Sequence, residues 1–160
     1  MNKTLYLLCG VPGAGKSTYV KEHLNDKSCW CSRDNIRFSI IAEDDEYFSK
    51  EDEVFEKFIN SINTALSAEH IEDIFIDATH LSEKARNKVL DRLFLTPDVK
   101  IIPVSFECSL ATCLYRNIRR EGLAKVPRAV IRRMYYSYEK PTFDEKYTYA
   151  NIITIDAEER

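Results

Sequence analysis

Apolar residues along the chain fall into short dense runs, separated by longer stretches in which they recur every three or four positions. Residues 4–9 (TLYLLC), 28–32 (SCWCS), 73–77 (DIFID), 99–107 (VKIIPVSFE) and 151–156 (NIITID) are rich in β-branched, aromatic and thiol side chains and have the length of strands. Between them, 16–26, 34–42, 50–69, 83–95, 109–120 and 128–139 carry the period of amphipathic helices. Ser49, Ser82 and Ser109 stand just before helix-like runs, where a hydroxyl can accept from the first free N–H groups. Strands alternating with helices predict an α/β architecture, a parallel sheet with helices on both faces. No internal repeat, low-complexity tract or linker interrupts the pattern. A length of 160 residues suits a single domain, expected over 1–160, with one sizeable core.

Composition narrows the function class less than the distribution of charge does. With 44% hydrophobic residues the chain can bury a core, which excludes global disorder. A net charge of −3 argues against a strongly basic nucleic-acid binder, but the average conceals segregation. Residues 43–56 hold eight acids against Lys50, and the simplest reading is a solvated helix face. Residues 115–133 hold seven bases against Glu121 across a helix–loop–helix, a candidate anion site. Five cysteines, an odd number without a dense framework, suit reduced thiols in a cytosol. Strand alternation puts Cys29 and Cys31 on one face; half a zinc site is the alternative, but no second ligand pair accompanies it. The apolar run at 5–9 is too short for a signal-peptide core of ~7–15 residues, so no targeting segment is expected. No apolar stretch approaches the ~20 residues of a membrane span, so no membrane partner is expected.

The candidate chemistry begins at residues 10–17, GVPGAGKS, which match G-x-x-x-x-G-K-[ST] at every fixed position. The segment follows a predicted strand and opens a predicted helix, the context of a P-loop. Glycine lets the backbone turn its N–H groups into one concavity, and the following helix points its positive end at the same place. Gly10, Gly13, Ala14, Gly15 and Thr18 would then shape and line a nucleoside triphosphate site. Lys16 would reach the β- and γ-phosphates, and the Ser17 hydroxyl would hold Mg²⁺. The alternative is a glycine-rich turn without a ligand.

Neither a switch GTPase nor a large ATPase fits the remainder. The one Asn-Lys pair, Asn87-Lys88, continues Val-Leu rather than completing N-K-x-D, and the chain is short for a motor. A small kinase fits best. The run 74–77 ends in Asp77, either an acid placed like a Walker B carboxylate or a cap on the strand-to-loop turn. After the second strand, Asp34 and Arg37 are spaced i, i+3, on one face of a helix start. There a carboxylate can take a proton from a hydroxyl while the arginine holds a phosphate of the same acceptor. The alternative is an Asp favouring the helix dipole and pairing with Arg37.

Four stretches together resemble the kinase domain of bacteriophage-type polynucleotide 5′-hydroxyl kinase: GVPGAGKST, SRDNIRFSI, IDATHLSEKAR and YRNIRREGLAKVPRAVIRRMYYSY. They run in order over residues 4–138. The resemblance implies a P-loop kinase fold with a helical, arginine-bearing lid at about 116–128. It implies ATP (or GTP) with Mg²⁺ as donor, and Asp34, Lys16 and Arg120 as catalytic residues. Asp34 would be the general base, Arg37 would bind the phosphate 3′ of the first nucleotide, and Thr79 would contact the acceptor near its 5′ end. Asp77 would sit on the acceptor side or join Ser17 at the metal. Arg119 is the neighbouring alternative to Arg120 for the donor phosphates. The expected partners are the 5′ end of DNA or RNA, a ligase acting on the product, and a second copy of the chain. The expected setting is the cytoplasm of a bacterial or phage-infected cell. No Asp-x-Asp-Gly-Thr motif is present, so 3′-phosphatase activity is not implied. A kinase of a nucleoside or another small alcohol shares the same donor signals.

Tyr135, Tyr136, Tyr138, Tyr147 and Tyr149 could stack on bases, but covering a sheet edge is the simpler role. His23, His70 and His80 are isolated in the sequence; His80 lies near the predicted acceptor site.

Overall fold

In the computed structural model, residues 2–122 and 125–158 are described. Five parallel strands form one sheet: β1 (Thr4–Cys9), β2 (Ser28–Ser32), β3 (Asp73–Asp77), β4 (Lys100–Glu107) and β5 (Ile153–Asp156). Their order is β2-β3-β1-β4-β5, so β1 is central. The chain leaves β1 toward β2 and β3 on one side, then crosses to β4 and β5 on the other. The carboxyl end of β1 therefore lies where the winding reverses, the usual ligand crevice of open parallel sheets.

Alternation along β1 explains how two cores form. Leu5, Leu7 and Cys9 face one layer with Ile74 and Ile76 of β3, while Leu8 and Phe75 face the other. The first layer is closed by α3 (Glu51–Ser67) and α4 (Glu83–Leu90). On α3, Val54, Phe55, Phe58, Ile59, Ile62 and Ala65 are buried, the stripe that a 3.6-residue period predicts. The second layer is closed by α1 (Lys16–His23), α5 (Leu110–Ile118) and α6 (Arg128–Ser137), through Tyr19, Val20, Cys113 and Ile131. The remaining helix, α2 (Arg33–Ile40), follows β2 directly. No helix among the described residues is long and apolar enough to cross a membrane.

The helices stop short of the spans read from the sequence, because apolar spacing continues into the turns that follow. Ser82 and Ser109 cap α4 and α5, accepting from the N–H groups of Ala85 and Thr112. Ser49 does not cap α3. That cap is Lys50, without a side-chain bond, and the Ser49 N–H is spent on the carbonyl of Glu46. Four of the five tyrosines pack: Tyr138, Tyr147 and Tyr149 against the first core and Tyr135 against the second, while Tyr136 is exposed. Tyr149 also donates to Glu145, which holds the buried Arg86 through two bonds of 2.9 and 2.7 Å. Arg86 reaches the carbonyls of His80 and Glu139 as well, so the 139–149 segment is fastened beneath the loop after β3. The sulfurs of Cys29 and Cys31 lie 3.9 Å apart on one face of β2.

Candidate active site

The chain turns through residues 10–15 between β1 and α1. Gly13 and Gly15 adopt φ of 87° and 96°, the left-handed region that glycine enters without cost. A Cβ on Gly13 would lie 2.9 Å from the carbonyl oxygen of Cys113, so the position demands glycine for space as well. The Ala14 N–H donates to Val11 across the turn at 3.2 Å. The Gly10 N–H donates to Thr79 at 2.9 Å and ties the turn to the loop after β3. Lys16, the first residue of α1, donates from Nζ to the carbonyls of Gly10 (2.6 Å) and Val11 (3.0 Å). Burial pushes its ammonium down from the ordinary lysine value, and the carboxylates of Asp77 and Asp34 oppose that shift.

Asp77 closes β3, buried, at the neighbouring strand end. Its Oδ2 accepts from the Trp30 indole of β2 at 2.9 Å and from the Ser17 hydroxyl at 3.4 Å. Burial raises its carboxyl, while the Lys16 charge and the indole bond hold it down. A hydroxyl and a carboxylate so placed fit a small hard cation whose other ligands are phosphate oxygens and water.

The second half of the site is built on α2. The Ser32 hydroxyl accepts from the Asn35 N–H at 3.1 Å, which starts the helix one residue before Asp34. Asp34 and Arg37 do pair: Nη1 of Arg37 donates to Oδ1 of Asp34. Arg37 is engaged well beyond that pairing. Its Nε donates to Glu51 Oε2 at 3.1 Å, its Nη2 to Glu51 Oε1, and its Nη1 also to the Tyr47 hydroxyl at 3.1 Å. The guanidinium carbon lies 4.5 Å from the Tyr47 ring centroid and 5.4 Å from that of Phe48. Tyr47 in turn donates to Asp34 Oδ1 at 2.8 Å, and Arg33 reaches Glu51 at 2.9 Å. Arg37 is thus buried and pre-positioned, with its edge on the cavity.

The third contribution comes from α5 and the segment after it. Arg116 fastens the turn, donating to the carbonyls of Gly13 (3.1 Å) and Ala157 (2.6 Å). Asn117 clamps the base of the α5–α6 connection, exchanging bonds of 2.7 and 2.9 Å with the backbone of Val126. Of the two neighbouring arginines, Arg120 lines the cavity and Arg119 is exposed, 5.8 Å from the Tyr115 ring. Residues 123 and 124 of the expected lid lie outside the described residues.

One cavity of about 440 Å³ joins these parts. It is lined by Gly13, Gly15, Lys16, Ser17 and Thr18 of the turn, by Asp34 and Arg37, by Asp77 and Thr79, and by Arg120. Gly10 and Ala14 shape the turn without lining that space: a Cβ on Gly10 would meet Phe106 at 3.2 Å, and Ala14 is buried. Sequence reasoning missed Arg33, Tyr47, Phe48, Glu51 and Met134, which also line it, as does Arg116 of the basic run. Three of those fall in the acidic run, where the charge pattern hid one inward-facing acid among solvated ones. His80 is absent from the lining. Buried at φ 44°, it bonds through Nδ1 to the Leu8 carbonyl at 2.5 Å, and burial pushes its imidazole down to about 3.

Residues 5–141 match the family described as AAA domain. Among solved structures, a fungal RNA kinase superposes over 99% of this chain with a TM-score of 0.72 at 14% identity; the chain spans 39% of that protein. A chain of the Pnkp1/Rnl/Hen1 RNA repair complex matches over 85% of this chain with a TM-score of 0.68 at 19% identity, and 44% of it is spanned. A gluconokinase from Sinorhizobium meliloti 1021 matches over 99% with a TM-score of 0.58 at 15% identity, and 84% of it is spanned. At these identities the likeness is one of fold, a P-loop kinase-like α/β sheet.

Proposed function

The chain belongs to the AAA domain family, and from that premise we propose that it is a phosphotransferase acting on the 5′-hydroxyl end of a DNA or RNA strand. The donor is ATP or GTP, and the role is a step of nucleic acid end repair that a ligase would follow. The observation that carries the reading is the single cavity in which the turn at 10–18 meets the Asp34–Arg37 pair. A nucleotide-binding module without transfer would have no use for the second half.

The side chains divide the work. Turn N–H groups, Lys16 and Arg120 are placed to bind the donor phosphates and the charge that develops on the transferring group. Ser17 and Asp77 would hold Mg²⁺, which would supply further neutralisation of the phosphate charge. Among the described residues the hydrogen bonds to the Asp34 carboxylate fall on Oδ1, so Oδ2 keeps the capacity to take the proton of the attacking hydroxyl. Arg37, held by Glu51, orients the acceptor through its first phosphate, and Thr79 lines the same cavity. Transfer of this kind rests on positioning and electrostatics more than on covalent chemistry.

A second reading is a kinase of a nucleoside or another small alcohol. The cavity has the size of a small-molecule site, and the gluconokinase shares the fold over the whole chain. Transfer from γ-labelled ATP to 5′-hydroxyl DNA and RNA oligonucleotides, a nucleoside 3′-monophosphate, nucleosides and gluconate separates the two. Label at the oligonucleotide 5′ ends is the expected result. Label confined to gluconate or free nucleosides would overturn the polynucleotide reading.

A further inference from the structure

We propose that Phe48 is the residue that selects a nucleoside-bearing acceptor, by stacking on the base of the terminal nucleotide. The inference rests on the kinase reading above and names what its acceptor flank recognises.

Phe48 is 43% exposed, although it is among the larger apolar side chains of the molecule and lies in a run of acids. Its exposure is not that of a random surface residue, because it lines the cavity that holds Asp34 and Arg37. Neighbours fix its place. Its ring meets the Tyr47 ring edge-on at 4.6 Å between centroids, and the Arg37 guanidinium lies 5.4 Å away. Tyr47 is itself held by bonds to Asp34 and Arg37, so the aromatic pair moves with the acceptor-binding groups rather than independently. A hydroxyl delivered to Asp34 with its neighbouring phosphate on Arg37 therefore brings the rest of the nucleotide beside an aromatic surface.

The chemistry of that surface discriminates between acceptors. A polyol or sugar acid offers hydroxyls on every side and calls for polar partners around it. This flank offers two rings beside a cation, the composition that receives a flat heteroaromatic base. Stacking is tolerant of base identity, so Phe48 separates nucleotides from aliphatic alcohols without choosing among the four bases.

The test is a cycle between Phe48→Ala and the acceptor. Single-stranded oligonucleotides with an ordinary or an abasic 5′-terminal residue are phosphorylated by wild type, Phe48→Ala and Phe48→Trp, with nucleotide binding and Tm measured on each preparation. Expected are a fall of about 10-fold in kcat/KM for Phe48→Ala on the ordinary end, carried by KM, and near-wild-type values for Phe48→Trp. On the abasic end wild type and Phe48→Ala should coincide within about twofold, since there is no base to stack. Equal losses on both ends would show that Phe48 only packs against Arg37, and no loss on either would show no role; each overturns the proposal while leaving the kinase reading intact. Absence of transfer by wild type to any oligonucleotide would overturn both.

Discussion

The two halves of the cavity are built by different means. The proposed donor half, residues 10–18, is backbone: its shape comes from φ values of 87° and 96°, one turn bond and a helix start, and its side chains are few. The proposed acceptor half is side chain: Asp34, Arg37, Tyr47, Phe48 and Glu51 hold one another through hydrogen bonds and ring contacts across two helices and the loop between them. The first kind of site must show in the sequence, because only glycine tolerates those dihedrals and that crowding. The second need not, because any chain segment that brings a carboxylate to Arg37 would serve.

Removing the donor charge should break the site most completely. Lys16→Ala is expected to leave a folded protein whose transfer rate falls at least about 10³-fold, and Arg120→Ala should fall comparably. Arg119→Ala, by contrast, should stay within about threefold of wild type in single-turnover assays. If Arg119 proves the damaging change, the lid arginine has been placed on the wrong residue.

Gly13→Ala sharpens the contrast, since it adds one methyl group and removes no functional group. Strain at φ 87° and the 2.9 Å approach to Cys113 should cost on the order of 1–3 kcal/mol. Titration with a fluorescent nucleotide should show affinity reduced about 10-fold or more, alongside a lower Tm. A side-chain-built donor site would accept the methyl with neither effect.

On the acceptor side, Glu51→Gln keeps the shape around Arg37 and removes one charge. With a charged hydrogen-bond pair worth roughly 1.5–3 kcal/mol, the acceptor KM should rise about 10-fold while nucleotide affinity holds within about twofold. Should the acceptor bind more tightly instead, Glu51 competes with the phosphate for Arg37, and the acceptor half is latched rather than pre-positioned.

The smallest effect expected is on pH dependence. His80 titrates near 3 in the fold against an ordinary 6.5, so between those values the unfolded chain takes up a proton that the native one refuses. Stability therefore falls as pH drops below about 6.5. His80→Asn, which tolerates the left-handed φ, should flatten the fall of Tm between pH 7 and 4.5. Because the native imidazole stays neutral down to about 3, its bond to Leu8 just before the turn persists over that range, and nucleotide binding by the folded protein should not weaken through His80.

These differences also explain what was legible beforehand. All five strands and the P-loop could be read from 160 letters, since strand length, glycine placement and the Lys16-Ser17 pair are local demands. Asp34 and Arg37 were visible as a spacing. Glu51, fourteen residues beyond Arg37, was not, because a charge run with six exposed acids looks the same whether or not one member turns inward. Ser49 misled for the converse reason: a good capping residue stood one position too early, and the helix is entered from Lys50 instead. Arg116 belongs to the basic run that reads as an anion site, yet it reaches the carbonyls of the turn and of the segment after β5, and the Cys108 sulfur.

The central claim is that Asp34 serves the acceptor and not the helix. Asp34→Asn keeps size and hydrogen bonding and is tolerated at helix starts, but it cannot accept the proton. Nucleotide affinity and 5′-phosphorylation measured on one Asp34→Asn preparation decide the matter. The account predicts transfer lower by about 10²–10⁴-fold with nucleotide affinity unchanged within about twofold. Transfer within about threefold of wild type would contradict it and reduce the Asp34–Arg37 pair to a stabilising contact.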